Sequence, residues 1–148
     1  MASSSLPKYI LVCGGAGYIG SHTVLTLLRT THYSIIVYDN FSTGYRSAVD
    51  RIKQMNNGQF SDRLFIEEGN VSDTRQLSLV FDKYGGGGSG DSGDSGDRSI
   101  EAVMHFCALI SVGDSVTDPL SYYDNNVCGT LRLLQVMQQH QCHKLIFS

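Results

Sequence analysis

The sequence predicts an α/β domain of the doubly wound class, a parallel sheet covered by helices on both faces. Five short apolar runs, at 9–13, 34–38, 64–66, 100–106 and 144–147, lack the polar–apolar alternation of a half-exposed strand. They read as strands buried on both faces. The stretches between them repeat apolar residues three or four apart, the spacing of one helix face. Strands that alternate with helices are joined by right-handed crossovers and pair in parallel. A length of 148 residues accommodates one such domain with a single core.

The first run, Tyr9-Ile-Leu-Val-Cys13, ends at Gly14-Gly15. Ile19, Val24, Leu25, Leu27 and Leu28 then predict a helix from Tyr18 to about Thr30. Ser34–Tyr38 is the second strand and Leu64–Ile66 a shorter third. Asp73 is placed to cap a helix running to about Tyr84, with Leu77, Val80 and Phe81 on one face. Ile100–Phe106 is the fourth strand. Asp118-Pro119 opens the longest helix: the carboxylate accepts from free N–H groups, and proline fits the first turn, where its missing N–H has no intrahelical acceptor. Leu120, Tyr123, Val127, Leu131, Leu134 and Met137 mark one face of that helix. Lys144–Phe147 is the fifth strand, and the sheet is expected to be cut short after it.

The segment 85–97 breaks this rhythm with glycine, serine and a repeated Gly-Asp-Ser triplet. Asp91, Asp94 and Asp97 are three apart, whereas a helix-loop-helix calcium loop wants ligands two apart and a distal Glu. The segment is expected to be a flexible surface insertion within one domain spanning 1–148, since closure entropy grows slowly with loop length.

Composition narrows the partners. A net charge of −3 with no basic block argues against nucleic acid. No apolar stretch approaches the roughly 20 residues of a membrane span. The start lacks the apolar core of a signal peptide, which points to the cytoplasm. Cys13, Cys107, Cys128 and Cys142 sit mostly in apolar runs and read as reduced, buried thiols. His140, Cys142 and His143 cluster, but no second pair completes a zinc site, so no metal is expected.

The chemistry lies in Cys13-Gly-Gly-Ala-Gly-Tyr-Ile-Gly20, where Gly14, Gly17 and Gly20 stand three apart between a strand and a helix. The chain must turn sharply there, leave backbone free for a diphosphate, and pack the helix closely. The helix N-terminus then offers free N–H groups and partial positive charge to the phosphates. Asp39 ends the second strand 19 residues after Gly20, where a carboxylate accepts hydrogen bonds from the adenosine ribose. That charge repels the 2′-phosphate of NADP, so NAD is the expected cofactor, although Arg46 lies nearby.

Five segments carry a more specific resemblance: 12–22, Asp39-Asn-Phe-Ser-Thr-Gly44, His105-Phe-Cys-Ala-Leu109, Val112-Gly-Asp-Ser115 and Pro119-Leu-Ser-Tyr-Tyr-Asp-Asn-Asn-Val-Cys-Gly-Thr130. In this order they resemble the N-terminal part of the UDP-glucose 4-epimerase (UDP-galactose 4-epimerase) family, extended short-chain dehydrogenases/reductases with a Rossmann-like fold. The resemblance implies that Gly14, Gly17, Tyr18, Ile19 and Gly20 line the NAD diphosphate. Asp39 would hold the adenosine ribose, with Asn40, Phe41, Ser42, Thr43 and Gly44 wrapped around it. Asn70 and Val71 would sit at the adenine edge, Asn70 offering one acceptor oxygen where the family has Asp. Phe106, Cys107, Ala108 and Asn125 would pass beside the diphosphate and nicotinamide ribose. His22 and His105 are expected to be structural.

The resemblance also implies a UDP-sugar substrate, epimerised at carbon 4 through transient oxidation, and a homodimer paired partly through the helix from Pro119. Two departures stand out. Ile110 replaces the family's Lys. The catalytic Ser and Tyr-x-x-x-Lys of the family are missing, since Lys8, Lys53, Lys83 and Lys144 follow Ser4, Val49, Leu79 and His140 at that spacing. No catalytic residue is therefore assigned. The readings left open are a non-catalytic NAD-binding module and another nucleotide-sugar epimerase or dehydratase. The 148-residue chain alone is expected to interconvert no UDP-sugar. A sensitive assay of UDP-galactose turnover checks this, and activity above a mock preparation overturns it.

Overall fold

The computed structural model of the chain describes residues 7–85 and 99–148. At its centre is β1 (Lys8–Cys13), flanked by β2 (Ser34–Asp39) and β4 (Ser99–His105). The edges are β3 (Leu64–Glu68) and β5 (Leu145–Phe147), giving the order β3-β2-β1-β4-β5 with every pair parallel. Leu11 stands level with Ile36 on one side and Val103 on the other. The chain builds outward from β1 to β3, then returns across the sheet to β4 and β5. Its direction of progress reverses between β1 and β4, and connections leaving these two strands diverge and open a crevice at their carboxyl ends.

Alternate side chains of the central strands enter two separate cores, which is why the strands read as unbroken apolar runs. Leu11, Cys13, Ile36 and Tyr38 pack against Leu77, Val80 and Phe81 of α3 (Thr74–Gly85) and Leu133, Val136 and Met137 of α6 (Thr130–Gln139). Ile10, Val12, Ile35 and Val37 pack against Val24 and Leu28 of α1 (Tyr18–Thr30) and Val49 and Ile52 of α2 (Arg46–Gly58). Each fully buried aliphatic side chain contributes roughly 1.5–3 kcal/mol, so the central strands are the densest source of stability. Asp73 caps α3 as expected, its Oδ1 accepting from the N–H groups of Arg75 and Gln76 at 3.0 Å each.

Several expectations are corrected. α2 was not predicted: only Val49 and Ile52 face the core in a polar sequence, too sparse a stripe to read. The short α4 (Val112–Thr117), which buries no residue, was also missed. β3 runs two residues beyond Ile66, and β4 ends at His105, with Phe106 N–H making the last bond of its ladder to Cys13 O. β5 starts at Leu145; Lys144 Nζ lies 3.6 Å from Glu101. Of the predicted insertion at 85–97, Gly85 ends α3, and residues 86–97 lie outside the described residues.

The longest predicted helix is not one regular α-helix. It comprises α5 (Pro119–Tyr122), a π-helical segment (Tyr123–Gly129) and α6. Its predicted apolar stripe splits as well: Met137 is buried, whereas Leu120, Tyr123, Val127, Leu131 and Leu134 are exposed. A second set, Gly129, Leu133, Val136 and Met137, also falls three or four apart and meets the sheet. With two apolar sets on one helix, periodicity alone did not identify the inward one. Among the described residues no helix is long and apolar enough to cross a membrane.

Arg63, in a 3-10 turn before β3, closes the end of α1. Its guanidinium donates to the carbonyls of Leu28 (2.5 Å), Thr31 (2.8 Å) and Tyr33 (3.2 Å). These carbonyls at and beyond the last turn of α1 would otherwise need water. Arg63→Ala is expected to lower unfolding free energy by about 2 kcal/mol, with Arg63→Lys recovering part of it. Urea denaturation of the three proteins checks this, and an unchanged midpoint in Arg63→Ala rules the staple out.

Candidate functional site

The loops that leave β1, β3 and β4 are each tied to a neighbouring strand end at the carboxyl edge of the sheet. Gly14 N–H donates to Tyr38 O (2.9 Å), Gly69 N–H to Asp39 O (3.1 Å) and Phe106 N–H to Cys13 O (2.8 Å). The Asp39 side chain is 8% exposed and joins two of the loops: Oδ2 accepts from Ala16 N–H (2.9 Å) and Oδ1 from Phe41 N–H (2.8 Å). A carboxylate has about four lone-pair sites, so this one keeps capacity for a ligand while its position is fixed.

Two adjoining clefts open above this knot and share Gly14, Gly17, Thr43, Phe106, Ala108 and Leu109. The inner one also exposes Asp39, Asn40, Ser42, Gly44, Asn70, Val71, Cys107 and Asn125. The outer one, of about 520 Å³, adds Tyr18, Ile19 and Gly20 at the start of α1. Of the residues the sequence nominates for the cofactor, Phe41 alone lines neither cleft. It has a φ of 54°, packs partly into the α1–α2 core and carries the Arg46 guanidinium 5.2 Å above its ring.

The glycines do different work. Gly14 has a φ of +77°, and a Cβ there would lie 2.7 Å from the Phe106 carbonyl carbon. A Cβ on Gly20 would stand 2.1 Å from Gly14 O, so Gly20 lets α1 pack on the loop. Gly17, the N-cap, makes no side-chain cap bond, and the first bond back to it is Ser21 N–H to Gly17 O at 2.9 Å. Tyr18, Ile19 and Gly20, whose N–H groups precede that first bond, line the outer cleft. Among the described residues no Lys, Arg or His lines either cleft. Arg46, the nearby cation, donates instead to Glu68 Oε2 at 3.2 Å. Ile110, where the resemblance implies Lys, is 88% exposed at the outer rim.

Asn70 differs from expectation. Its Oδ1 accepts from both Ser72 N–H (3.0 Å) and Ser72 Oγ (2.9 Å), a turn leading into the α3 cap. The acceptor proposed for an adenine amine is thus already taken from within the loop. Sequence reasoning missed Tyr38, Gly69 and Leu109, which also line the inner cleft. The signal for Gly69 was its place at a strand end: a Cβ there would lie 2.4 Å from Tyr38 Oη. Tyr38 Oη–H donates to Asn70 O at 3.1 Å, and burial pushes its pKa up, keeping it a donor.

Cys107 and His105 stand beside the inner cleft with Sγ and Nε2 3.6 Å apart. Burial pushes the Cys107 thiol up to about 12 and lowers the His105 imidazole from its usual value. Both are neutral at physiological pH, which removes the thiolate a nucleophile needs. His105 is 1% exposed, its Nε2 lies 3.2 Å from Thr130 Oγ1 and its ring 4.9 Å from that of Phe147. His22 Nδ1 meets Tyr18 O at 2.8 Å within α1. His140 caps α6, meets Ser78 Oγ at 2.9 Å and stacks on Phe81. Among the described residues no three His, Cys, Asp or Glu side chains gather as for a metal ion.

A family model described as GDP-mannose 4,6 dehydratase matches residues 11–148. UDP-glucose 4-epimerase 1 of Oryza sativa subsp. japonica is 41% identical over 145 residues, covering 98% of this chain and 36% of that protein. The bifunctional UDP-glucose 4-epimerase and UDP-xylose 4-epimerase 1 of Pisum sativum is 36% identical over 148 residues, 37% of its length. Among solved structures, the Bifidobacterium longum UDP-glucose 4-epimerase in complex with NAD+ and UDP superposes with a TM-score of 0.78. It is 35% identical, and the match covers 95% of this chain and 36% of that one. The Brucella ovis UDP-glucose 4-epimerase in complex with NAD gives 0.73 at 36% identity, with 95% and 35% covered. The chain therefore spans about 36% of the length of the curated relatives it matches.

The glycine assignments separate experimentally. Gly20→Ala is expected to lower unfolding free energy by about 2 kcal/mol through overpacking. Gly17→Ala, whose Cβ would stand 3.4 Å from Gly14 O, should cost less than about 1 kcal/mol. Equal losses in thermal unfolding would contradict the division of roles.

Proposed function

Because the chain belongs to the family described by the GDP-mannose 4,6 dehydratase model, we propose that it is the NAD-holding part of a UDP-glucose 4-epimerase. The observation that carries this reading is the conjunction of an uncapped α1 N-terminus and the Asp39 carboxylate on one continuous crevice. The residues fit the cofactor. The N–H groups at Tyr18, Ile19 and Gly20 would meet the diphosphate where no cationic side chain competes. The lone pairs Asp39 does not spend on Ala16 and Phe41 would accept from the adenosine ribose hydroxyls. Asn40, Ser42, Thr43 and Gly44 would line that end, with Phe106, Cys107, Ala108 and Asn125 along the other wall.

When bound, NAD supplies a reversible hydride acceptor for carbon 4 of a UDP-sugar. This chain's residues orient the cofactor and line its site with groups that hold no mobile proton: Cys107 stays a thiol and Tyr38 a phenol. No residue here is assigned as the base for the sugar hydroxyl. The UDP-sugar and the epimerase activity belong to the complete protein in this proposal. So does a homodimer, supported by the exposed stripe Leu120, Tyr123, Val127, Leu131 and Leu134. We place the protein in the cytoplasm as one NAD-binding domain. A nucleotide-sugar dehydratase is the second reading, favoured by the description of the matching family.

Calorimetric titration with NAD and NADP tests the reading. NAD is expected to bind at least about tenfold tighter, because a carboxylate a few ångströms from a 2′-phosphate costs more than 1.4 kcal/mol at intermediate dielectric. Equal affinities, or heat from NADP alone, would count against Asp39 as the ribose ligand.

A further inference from the structure

The wall of the crevice opposite Asp39 is a strap, residues 106–109, with no regular secondary structure between β4 and α4. Four of its residues, Phe106, Cys107, Ala108 and Leu109, line the clefts. A partly buried strap needs partners for its backbone polar groups. Phe106 N–H finds Cys13 O. Cys107 O and both backbone groups of Leu109 are met by two adjacent side chains of the π-helical segment. Asn126 Oδ1 accepts from Leu109 N–H at 2.8 Å, and its Nδ2 donates to Leu109 O at 2.9 Å. Asn125 Nδ2 donates to Cys107 O at 3.0 Å and to Asn126 Oδ1 at 2.9 Å.

We propose that Asn126 is the positioning residue of this crevice: its amide grips both backbone groups of Leu109 and so sets how far the strap stands from the β1–α1 loop. The proposal rests on the cofactor reading above for its functional consequence. The chemistry singles out asparagine. Gripping an N–H and a C=O of one residue needs an acceptor and a donor on one short planar group; Asp lacks the donor, Leu lacks both, and Gln is a methylene longer. The π-helical turn supplies the geometry. Consecutive side chains of an α-helix point about 100° apart, and the wider i→i+5 turn brings neighbours closer to one face, so Asn125 and Asn126 reach the strap together. The clamp is itself anchored: Thr130 Oγ1 donates to Asn126 O at 2.7 Å and stands 3.2 Å from His105 Nε2.

The test uses the 148-residue chain, Asn126→Leu and Asn126→Asp, with amide hydrogen exchange at Leu109 and titrations with NAD and AMP. AMP reports the Asp39 end of the crevice; NAD also passes the strap. In Asn126→Leu, Leu109 should exchange about tenfold faster or more while Leu11 stays protected, and NAD should bind about tenfold weaker with AMP affinity kept. Asn126→Asp, which retains the acceptor, should restore Leu109 protection in part. Unchanged Leu109 exchange overturns the clamp. Equal weakening of NAD and AMP, or no change in either, overturns the positioning role. A wild-type chain that binds neither nucleotide overturns the cofactor reading itself; faster Leu109 exchange in Asn126→Leu would then still support the clamp.

Discussion

The site depends on one buried carboxylate. Asp39 spends an oxygen on the N–H of Ala16, in the loop after β1, and the other on Phe41, in the loop after β2. Neither loop has regular structure to hold its backbone, and each must stand close enough to the other to leave a narrow crevice. A carboxylate with two backbone donors is a strong, charge-assisted tie. The same group lines the crevice, so the tie that builds the site is also part of its wall.

Around this knot the electrostatics are spare. Among the described residues no cationic side chain lines the crevice, and its two most reactive-looking neighbours, Cys107 and His105, are held neutral by burial. What remains for an anion is the open first turn of α1, whose N–H groups act without side-chain rotamers to freeze. In the proposed function such a surface would meet a diphosphate by shape and backbone polarity, without a group poised for proton transfer.

The five strands, the glycine turn and the place of Asp39 were legible in the sequence because each rests on a local constraint. Buried strands must be apolar, a turn beneath a phosphate must lack side chains, and a strand-end carboxylate has a fixed distance to that turn. The unread parts share a different cause. α2 shows only Val49 and Ile52 to the core, and the helix after Pro119 is apolar on two faces, so periodicity there carried no unique answer. Asn70 illustrates the limit at the site: its acceptor was legible, but its capture by Ser72 depends on how the loop closes. Asn126 stood beside Asn125 in the quoted motif, and only the π-helical turn shows why two asparagines in succession reach the same strap.

That π-helical segment has a mechanical consequence. Tyr123 and Val127 of the segment lie on its outward, water-facing side, while Asn125 and Asn126 pull on the strap from the other. Both sets of side chains belong to the same seven residues. One turn of chain thus shows apolar side chains to solvent on one side and holds the crevice wall with the other.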